Sequence, residues 1–504
     1  MKNRNPYKKS SIKWYTGLAI AVVSLALLIS TTLIFFLGIP YIYKETVTAG
    51  TQLLEGSEAL TKWSNVTVPV YLRFYFFNVT NPEAVIQNGS KFEVQDVGPY
   101  VWEEKRTKEV VAVDEEEDTL TFTETIRFYF RPDLSIGSQE DQINLVNIPF
   151  ISLATQLYTN LYSFAANYAI DLLKDEGESV VLREVKIREL IFDGVKLKPT
   201  YQTFVDIGSL ASDIPAEFKD GTFALYGGRN GTPSKEFKIY RGVKNYEDFG
   251  RVVTYDNKTE VSWWTNTSLP EGSPQYCNKI NGTDGHLIRP FLPKEKLVLF
   301  SPEVCRSAYL EYDQEIFFRG VPAYQFKPPR HKEVPENERC FCVDPGHQLN
   351  GKCTAGIVRL FPCQHGSPIV MSNPHFLGMP KEVRDGVVGM KPNRSMHETT
   401  MIIEPITGAT LFAIKRVQVS VEYQRLPNIR SFDDVSHTFV PILWVEETGG
   451  VDDITLDRIR GQLITSMQIV NIVQWVVIGI LIVLMIVGVF LIWKSRQGEE
   501  KPIT

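Results

Sequence analysis

The amino-acid sequence predicts a membrane-anchored α+β protein, in which two transmembrane helices form a hairpin and hold a β-rich outer domain between them. Three observations point there. Two long uncharged apolar runs lie near the ends of a 504-residue chain. Between them, several segments alternate apolar and polar residues with a period of two. All six cysteines and all eight N-x-S/T sequons fall in that middle region.

The first run, "GLAIAVVSLALLISTTLIFFLGI", covers Gly17 to Ile39 without a charge, and about 20 helical residues are needed to cross a hydrocarbon core. A cleaved signal peptide is the alternative. Its apolar stretch is usually about 7–15 residues, shorter than this one, and no small-x-small cleavage site follows. A retained anchor is therefore expected. The second run, "VVIGILIVLMIVGVFLIW", covers Val476 to Trp493 and is extended by the more polar "NIVQW" from Asn471. Lys2, Arg4, Lys8, Lys9 and Lys13 flank the first run, and Lys494, Arg496 and Lys501 the second. Cytoplasmic flanks carry excess Lys and Arg, which places both termini in the cytoplasm. The expected order is tail 1–16, span 17–39, outer domain 40–470, span 471–493 and tail 494–504. Gly17 with Ala21 and Ala26 with Ser30 are small-x3-small pairs suited to helix pairing, so a homo-oligomer is one candidate assembly.

Cys277, Cys305, Cys340, Cys342, Cys353 and Cys363 form an even set in the outer region, as expected for three disulfides in an oxidising compartment. The sequons are Asn65, Asn78, Asn88, Asn230, Asn257, Asn266, Asn281 and Asn393. One sequon arises easily by chance; eight on one side of two spans support glycosylation there. A net charge of -6 leaves no overall basic field, which argues against a nucleic-acid partner.

Strands are expected in "VPVYLRFYFFNVT", "LTFTETIRFYF" and "ATLFAIKRVQVSVEY". In the first, Leu72, Phe74 and Phe76 alternate with Tyr71, Arg73 and Tyr75. No repeat of fixed period and no low-complexity linker interrupts the region, which favours one β-rich domain over a string of modules. One segment departs from the period. From the cap Asn147, with Pro149 in the first turn, Phe150, Leu153, Leu157, Leu161, Phe164 and Tyr168 recur at steps of three and four. This predicts two helices with a bend over about 147–175. The stripe either packs on the domain's core or caps it and receives an apolar ligand.

The chemical motifs give no case for an enzyme. "FPCQHGSPIVMSNPHFL" (Phe361 to Leu377) gathers a cysteine, two histidines and a serine, but Cys363 is expected to be disulfide-bonded and so lacks a free thiolate. Ser367 lies in "HGSPI", not in a G-x-S-x-G elbow. Cys340, Cys342, Cys353 and Cys363 near His347 and His365 lack the C-x2-4-C pairs of a zinc site. His397-Glu398 lacks the second histidine of H-E-x-x-H, and "GGRNG" at Gly227 lacks a phosphate-loop lysine. "DEEED" (Asp114 to Asp118) reads as a solvated turn. No metal or cofactor is expected.

The ordered motifs "LLEGSEALTKW" (Leu53 to Trp63), "VGPYVW" (Val97 to Trp102), "FALYGGRNGT" (Phe223 to Thr232), "YCNKINGTDG" (Tyr276 to Gly285), "GSPIVMSNPHFL" (Gly366 to Leu377), "IIEPITGATL" (Ile402 to Leu411) and "VPILWVEETG" (Val440 to Gly449) together resemble the class B scavenger receptor family over nearly the whole chain. That family includes fatty acid translocase, the high-density lipoprotein receptor, lysosomal integral membrane proteins and insect sensory neuron membrane proteins. The resemblance implies an irregular antiparallel β-barrel ectodomain, an apical helical bundle over 147–175, and a hydrophobic tunnel along which lipids reach the bilayer. It also implies the disulfides Cys277–Cys340, Cys305–Cys363 and Cys342–Cys353, one of fifteen connectivities open to six cysteines. Candidate ligand contacts on the apical helices are Phe150, Leu153, Leu157, Leu161, Phe164 and Lys174.

In fatty acid translocase, one member of that family, ligand-binding lysines lie just after the apical helix, where this chain reads "LLKDEGES". An apex with Asp175, Glu176 and Glu178 is expected to repel anionic ligands, with Lys174 in part compensating. The tails lack cysteines for palmitoylation and an acidic di-leucine signal, which favours the plasma membrane over the lysosome. The expected function is passive delivery of fatty acids, sterols, carotenoids or lipoprotein lipids to the membrane. The alternative is recognition of a protein or cell at the apical helices, with the tunnel incidental.

Overall fold

The computed structural model describes residues 14–66, 68–160, 163–201, 203, 221–264, 276–330, 333–342, 353–364 and 366–499. The chain forms two compact units, one of Met1–Gly50 with Asp453–Thr504 and one of Thr51–Asp452.

The first unit is a pair of helices long and apolar enough to cross a membrane, Trp14–Thr51 and Asp453–Gln497. The first, of 38 residues, spans roughly 57 Å at about 1.5 Å per residue, well beyond a ~30 Å hydrocarbon core. Both helices therefore continue past the apolar runs into more polar sequence, and the compact unit between them runs from Thr51 to Asp452. Hydropathy locates the run that must be in lipid; it does not locate the helix ends. The two helices are antiparallel, and their seam is made of small residues. A Cβ on Gly17 would stand 2.8 Å from the Gly488 carbonyl oxygen, and one on Gly488 would stand 2.7 Å from the Ala21 nitrogen. Ser24, Ile478 and Leu481 are buried on the same seam. Gly17 and Ala21 thus serve pairing within the chain. Ala26 and Ser30 face outward, with the Ser30 hydroxyl donating to the Ala26 carbonyl.

The second unit is built on a 13-stranded sheet. Eleven strands follow one path: Leu297–Ser301, Arg306–Phe318, Val321–Lys327, Thr400–Ile403, Thr410–Tyr423, Thr438–Gly450, Val70–Val79, Val94–Asp114, Thr119–Phe130, Phe237–Tyr240 and Val252–Tyr255. All neighbours on that path are antiparallel. The first and last strands are bridged by the segment at Thr283. Val252 N–H donates to the Gly282 carbonyl (2.9 Å), Thr283 N–H to that of Val298 (3.2 Å), and Phe300 N–H to that of Thr283 (2.8 Å). The result is a nearly closed barrel, which leaves little sheet edge exposed. Gly282 is required at this closure. Its φ is +83°, and a Cβ there would lie 2.0 Å from the Val298 carbonyl oxygen.

Strand Val70–Val79 shows why the alternation works. Leu72, Phe74 and Phe76 are buried while Tyr71, Arg73 and Tyr75 remain partly open. Register places Leu72 between Glu447 and Trp102, and Phe74 between Val445 and Tyr100. The acidic turn between the next two strands divides differently from its sequence. Asp114 to Glu117 are exposed, but Asp118 is buried, accepts from the Val243 and Lys244 backbone N–H groups, and faces Arg241 at 3.3 Å. It is a structural carboxylate, not a solvated one.

The segment at 147–175 forms helices Ile148–Asn160 and Ser163–Asp175. Asn147 caps the first: its Oδ1 accepts from Phe150 N–H at 3.0 Å. The disulfides are Cys277–Cys340, Cys305–Cys363 and Cys342–Cys353. Buried Cys277, Cys305 and Cys340 pack with Trp264, Phe300 and Phe341 in a core separate from the larger one around Phe74, Trp102 and Phe150.

Candidate functional site: the barrel interior

Contacts between non-neighbouring strands identify the inner face of the barrel. Lys415, on Thr410–Tyr423, meets Glu303 of the turn Pro302–Val304 at 3.3 Å. Arg106, on Val94–Asp114, meets His286 of the closing segment at 3.0 Å. Such side chains reach one another only through the inside. Register then assigns the inner rows. Lys415, Glu447, Leu72 and Trp102 form one row, and Val417, Val445, Phe74 and Tyr100 the next. On the other side of the first row, small residues Ala413 and Gly449 stand opposite each other.

Two zones follow. The first is aromatic: Phe74 stands edge-on to Trp102 (5.3 Å) and Tyr226 (5.4 Å), and Phe128 lies near Phe192 (5.2 Å) and Tyr226 (5.8 Å). Phe128, Phe130, Phe192 and Tyr226 are only partly buried.

The second zone is ionic. Arg106 is shared between Glu104 (2.6 Å) and Glu447 (2.7 Å), and Lys108 pairs with Glu124 (2.9 Å). Glu303 lies between Lys415 (3.3 Å) and Arg229 (3.8 Å), and Lys415 also faces Glu447 (3.6 Å). Two carboxylates around one guanidinium cannot both be fully compensated. Burial pushes Glu104 up to about 7. Burial also opposes ionisation of Glu447, but Arg106 and Lys415 hold its carboxyl below the usual range. Lys415 beside Glu303 brings that carboxyl down to about 2, and Glu303 in turn raises Lys415. These charges were missed in the sequence. Glu104, Arg106 and Lys108 at alternate positions read as a solvent-facing strand edge, and only closure of the sheet turns them inward.

The helices place the other candidate residues on different sides. Phe150, Leu153 and Leu157 are core residues, at 1, 8 and 6 % exposure. Phe164 and Tyr168 are 76 and 65 % exposed, and Lys174 is exposed as well. Leu161 lies outside the described residues. The stripe does not stay on one face, because the second helix buries Ala166, Ala169, Ile170 and Leu173 and leaves Phe164 and Tyr168 open. Two carboxylates of the acidic apex are hydrogen-bonded, and Asp175 is exposed. Glu178 accepts from Asn147 Nδ2 (2.8 Å) and the Tyr201 hydroxyl (3.0 Å), and Glu176 accepts from Thr200 (2.7 Å). Glu178 ties the segment after the second helix to Asn147, the cap of the first, and both carboxylates tie it to Thr200 and Tyr201.

In the motif at Phe361 to Leu377, Cys363 is bonded to Cys305 and Ser367 is buried. His375 accepts from Lys391 N–H at Nδ1 and donates from Nε2 to Asp96 at 2.9 Å, where Trp444 Nε1–H also donates. His397 stacks on His375 at 4.4 Å, and burial followed by that neighbour lowers it to about 4. His365 and His347 lie outside the described residues. Among the described residues, no group of three or more His, Cys, Asp or Glu is placed to hold a metal.

Of the sequons, Asn65, Asn88, Asn230, Asn257, Asn281 and Asn393 are exposed. Asn78 is half-buried in its strand, its Oδ1 accepting from Asn144 N–H at 2.8 Å. Asn266 lies outside the described residues.

Comparison with known proteins agrees along the chain. It is 28% identical over 462 residues to lysosome membrane protein 2 of Rattus norvegicus, covering 90% of this chain and 89% of that one. It is 28% identical over 510 residues to scavenger receptor class B member 1 of the same species, covering 97% and 94%. Sensory neuron membrane protein 1 of Anopheles gambiae is 30% identical over 463 residues, covering 88% and 82%. With residues 21–492 matching the CD36 family throughout, the chain belongs to that family.

Proposed function

We propose that this protein is a cell-surface receptor that takes up hydrophobic ligands and delivers them to the membrane through the inside of its barrel. The observation that carries this reading is the half-open aromatic group Phe128, Phe130, Phe192 and Tyr226 on the inner side, together with the small pair Ala413 and Gly449. Each methylene moved from an apolar site into water costs about 0.8 kcal/mol, so a long acyl chain faces a desorption barrier on the order of 10 kcal/mol. An apolar interior lowers that barrier with no nucleotide or cofactor, and flux follows the lipid's own gradient. The relatives' names, a scavenger receptor among them, support a receptor role. The plasma membrane as its site, cytoplasmic termini and glycans on the exposed sequons complete the proposal.

One observation favours a second reading. The exposed aromatics Phe164 and Tyr168 are one turn apart on Ser163–Asp175, a pattern suited to docking a protein partner. Cellular uptake of a fluorescent fatty acid separates the two. Ala413→Trp is expected to abolish uptake while leaving surface expression intact. Uptake lost in Phe164→Ser/Tyr168→Ser but retained in Ala413→Trp would support recognition in place of transfer.

A further inference from the structure

The ionic zone has an unusual combination of properties. Glu303 and Lys415 keep 52 and 46 % of their side-chain surface open, and Lys415 stands in the inward-facing row with Glu447 and Leu72, with Glu303 reaching it from the turn Pro302–Val304. Open surface on inward-facing side chains borders the inside of the barrel. Their separation, 3.3 Å between Lys415 Nζ and Glu303 Oε2, is loose for a charge-assisted hydrogen bond, which is normally about 2.7–2.9 Å. Beside such a pair a hydroxyl can both accept from the ammonium and donate to the carboxylate.

Charge decides between a hydroxyl and an anion. The zone contains the cations Arg106, Lys108, Arg229 and Lys415 and the carboxylates Glu104, Glu124, Glu303, Glu447 and Asp284, with His286 beside Asp284 at 3.2 Å. Every cation already has a carboxylate within 4 Å, so no uncompensated positive charge remains to receive a ligand carboxylate. An anion bound at Lys415 would bring a third negative charge beside Glu303 and Glu447 and compete with both for one ammonium, an unfavourable exchange. A hydroxyl disturbs no ion pair.

We propose that Glu303 and Lys415 form a polar station inside the barrel that binds the hydroxyl head of an uncharged lipid and discriminates against an ionised fatty acid. The inference rests on the reading that the interior carries lipid, and names which lipids it holds best. Hydrocarbon lies along the aromatic zone while the head stops at the ion pair.

The test uses the full-length chain in detergent with three radiolabelled probes of equal chain length: 1-hexadecanol, palmitate at pH 8 and hexadecane. The expected result is that hexadecanol binds about tenfold more tightly than hexadecane, the worth of a hydrogen bond to charged groups, and more tightly than palmitate. In Glu303→Gln/Lys415→Met the alcohol-to-alkane ratio is expected to fall toward one, with hexadecane binding retained as the sign of an intact interior. Equal binding of alcohol and alkane by the wild-type chain, or tighter binding of palmitate, overturns the station while leaving the transfer function standing. Failure of all three probes to bind overturns the transfer function itself. Because the first comparison is made on the wild-type chain, a variant that fails to fold does not rescue the idea.

Discussion

Removing the buried carboxylate of Glu104 should stabilise the protein at alkaline pH. Glu104 is 3 % exposed at its side chain and lies 2.6 Å from Arg106, so ordinary reasoning about a broken buried ion pair predicts a loss of several kcal/mol. The geometry argues otherwise, because Arg106 also pairs with Glu447 at 2.7 Å. Glu104→Gln leaves one guanidinium with one close carboxylate and mimics the protonated acid. With its pKa moved from 4.5 to about 7, wild-type Glu104 favours the folded state fully below pH 4.5, and that contribution is lost as pH rises through 7. A shift of this size amounts to about 3 kcal/mol at about 1.4 kcal/mol per unit. For an outer unit of about 400 residues, at about 2 cal/mol/K per residue, it corresponds to roughly 4 °C in Tm. Thermal melts of wild type and Glu104→Gln at pH 5, 6, 7 and 8.5 are expected to differ little at pH 5, with the variant gaining roughly 4 °C relative to wild type by pH 8.5. Parallel curves, or a variant less stable at pH 8.5, would refute the shared-guanidinium argument.

Other perturbations act elsewhere. Arg359 makes a two-point contact with Glu422 (2.8 and 2.9 Å), and both are nearly inaccessible; Arg359→Met should cost about 3–5 kcal/mol in denaturant unfolding, and Arg359→Met/Glu422→Gln should recover much of it. Burial keeps His397 neutral to about 4, so its contribution to stability is present above the unfolded value near 6.5 and is lost as pH falls toward 4. His397→Asn should flatten the acid limb of Tm against pH. Gly17→Leu places a side chain against the Gly488 carbonyl and should destabilise the helix pair by about 1–3 kcal/mol, read as a lower melting temperature of the solubilised full chain. Glycosidase treatment should lower the apparent mass; an unchanged band would contradict the outward placement of the sequons.

Features with a local physical signature were legible in the sequence. The apolar runs, the period-two alternation of Val70–Val79 and the cap at Asn147 each depend on nearby residues. Features set by closure of the sheet were not. Arg106 meets Glu447 across hundreds of residues of chain, and its alternating charged neighbours resemble a wet strand until the wall opposite them is in place. The helix stripe misled for a related reason: Phe164 continues the spacing of Phe150 and Leu157, but the second helix turns Ala166, Ala169, Ile170 and Leu173 to the core and leaves Phe164 open. The hydrogen bonds of Glu176 and Glu178 were not legible because Thr200 and Tyr201 come from a later segment.

Photo-cross-linking with a diazirine-bearing fatty lipid, followed by peptide mapping, tests the route through the barrel most directly. Passage of lipid through the barrel predicts adducts on inward-facing residues, chiefly Phe128, Phe192 and Tyr226, that disappear in Ala413→Trp. Adducts confined to Phe164, Tyr168 and the membrane helices, with none inside, would contradict it.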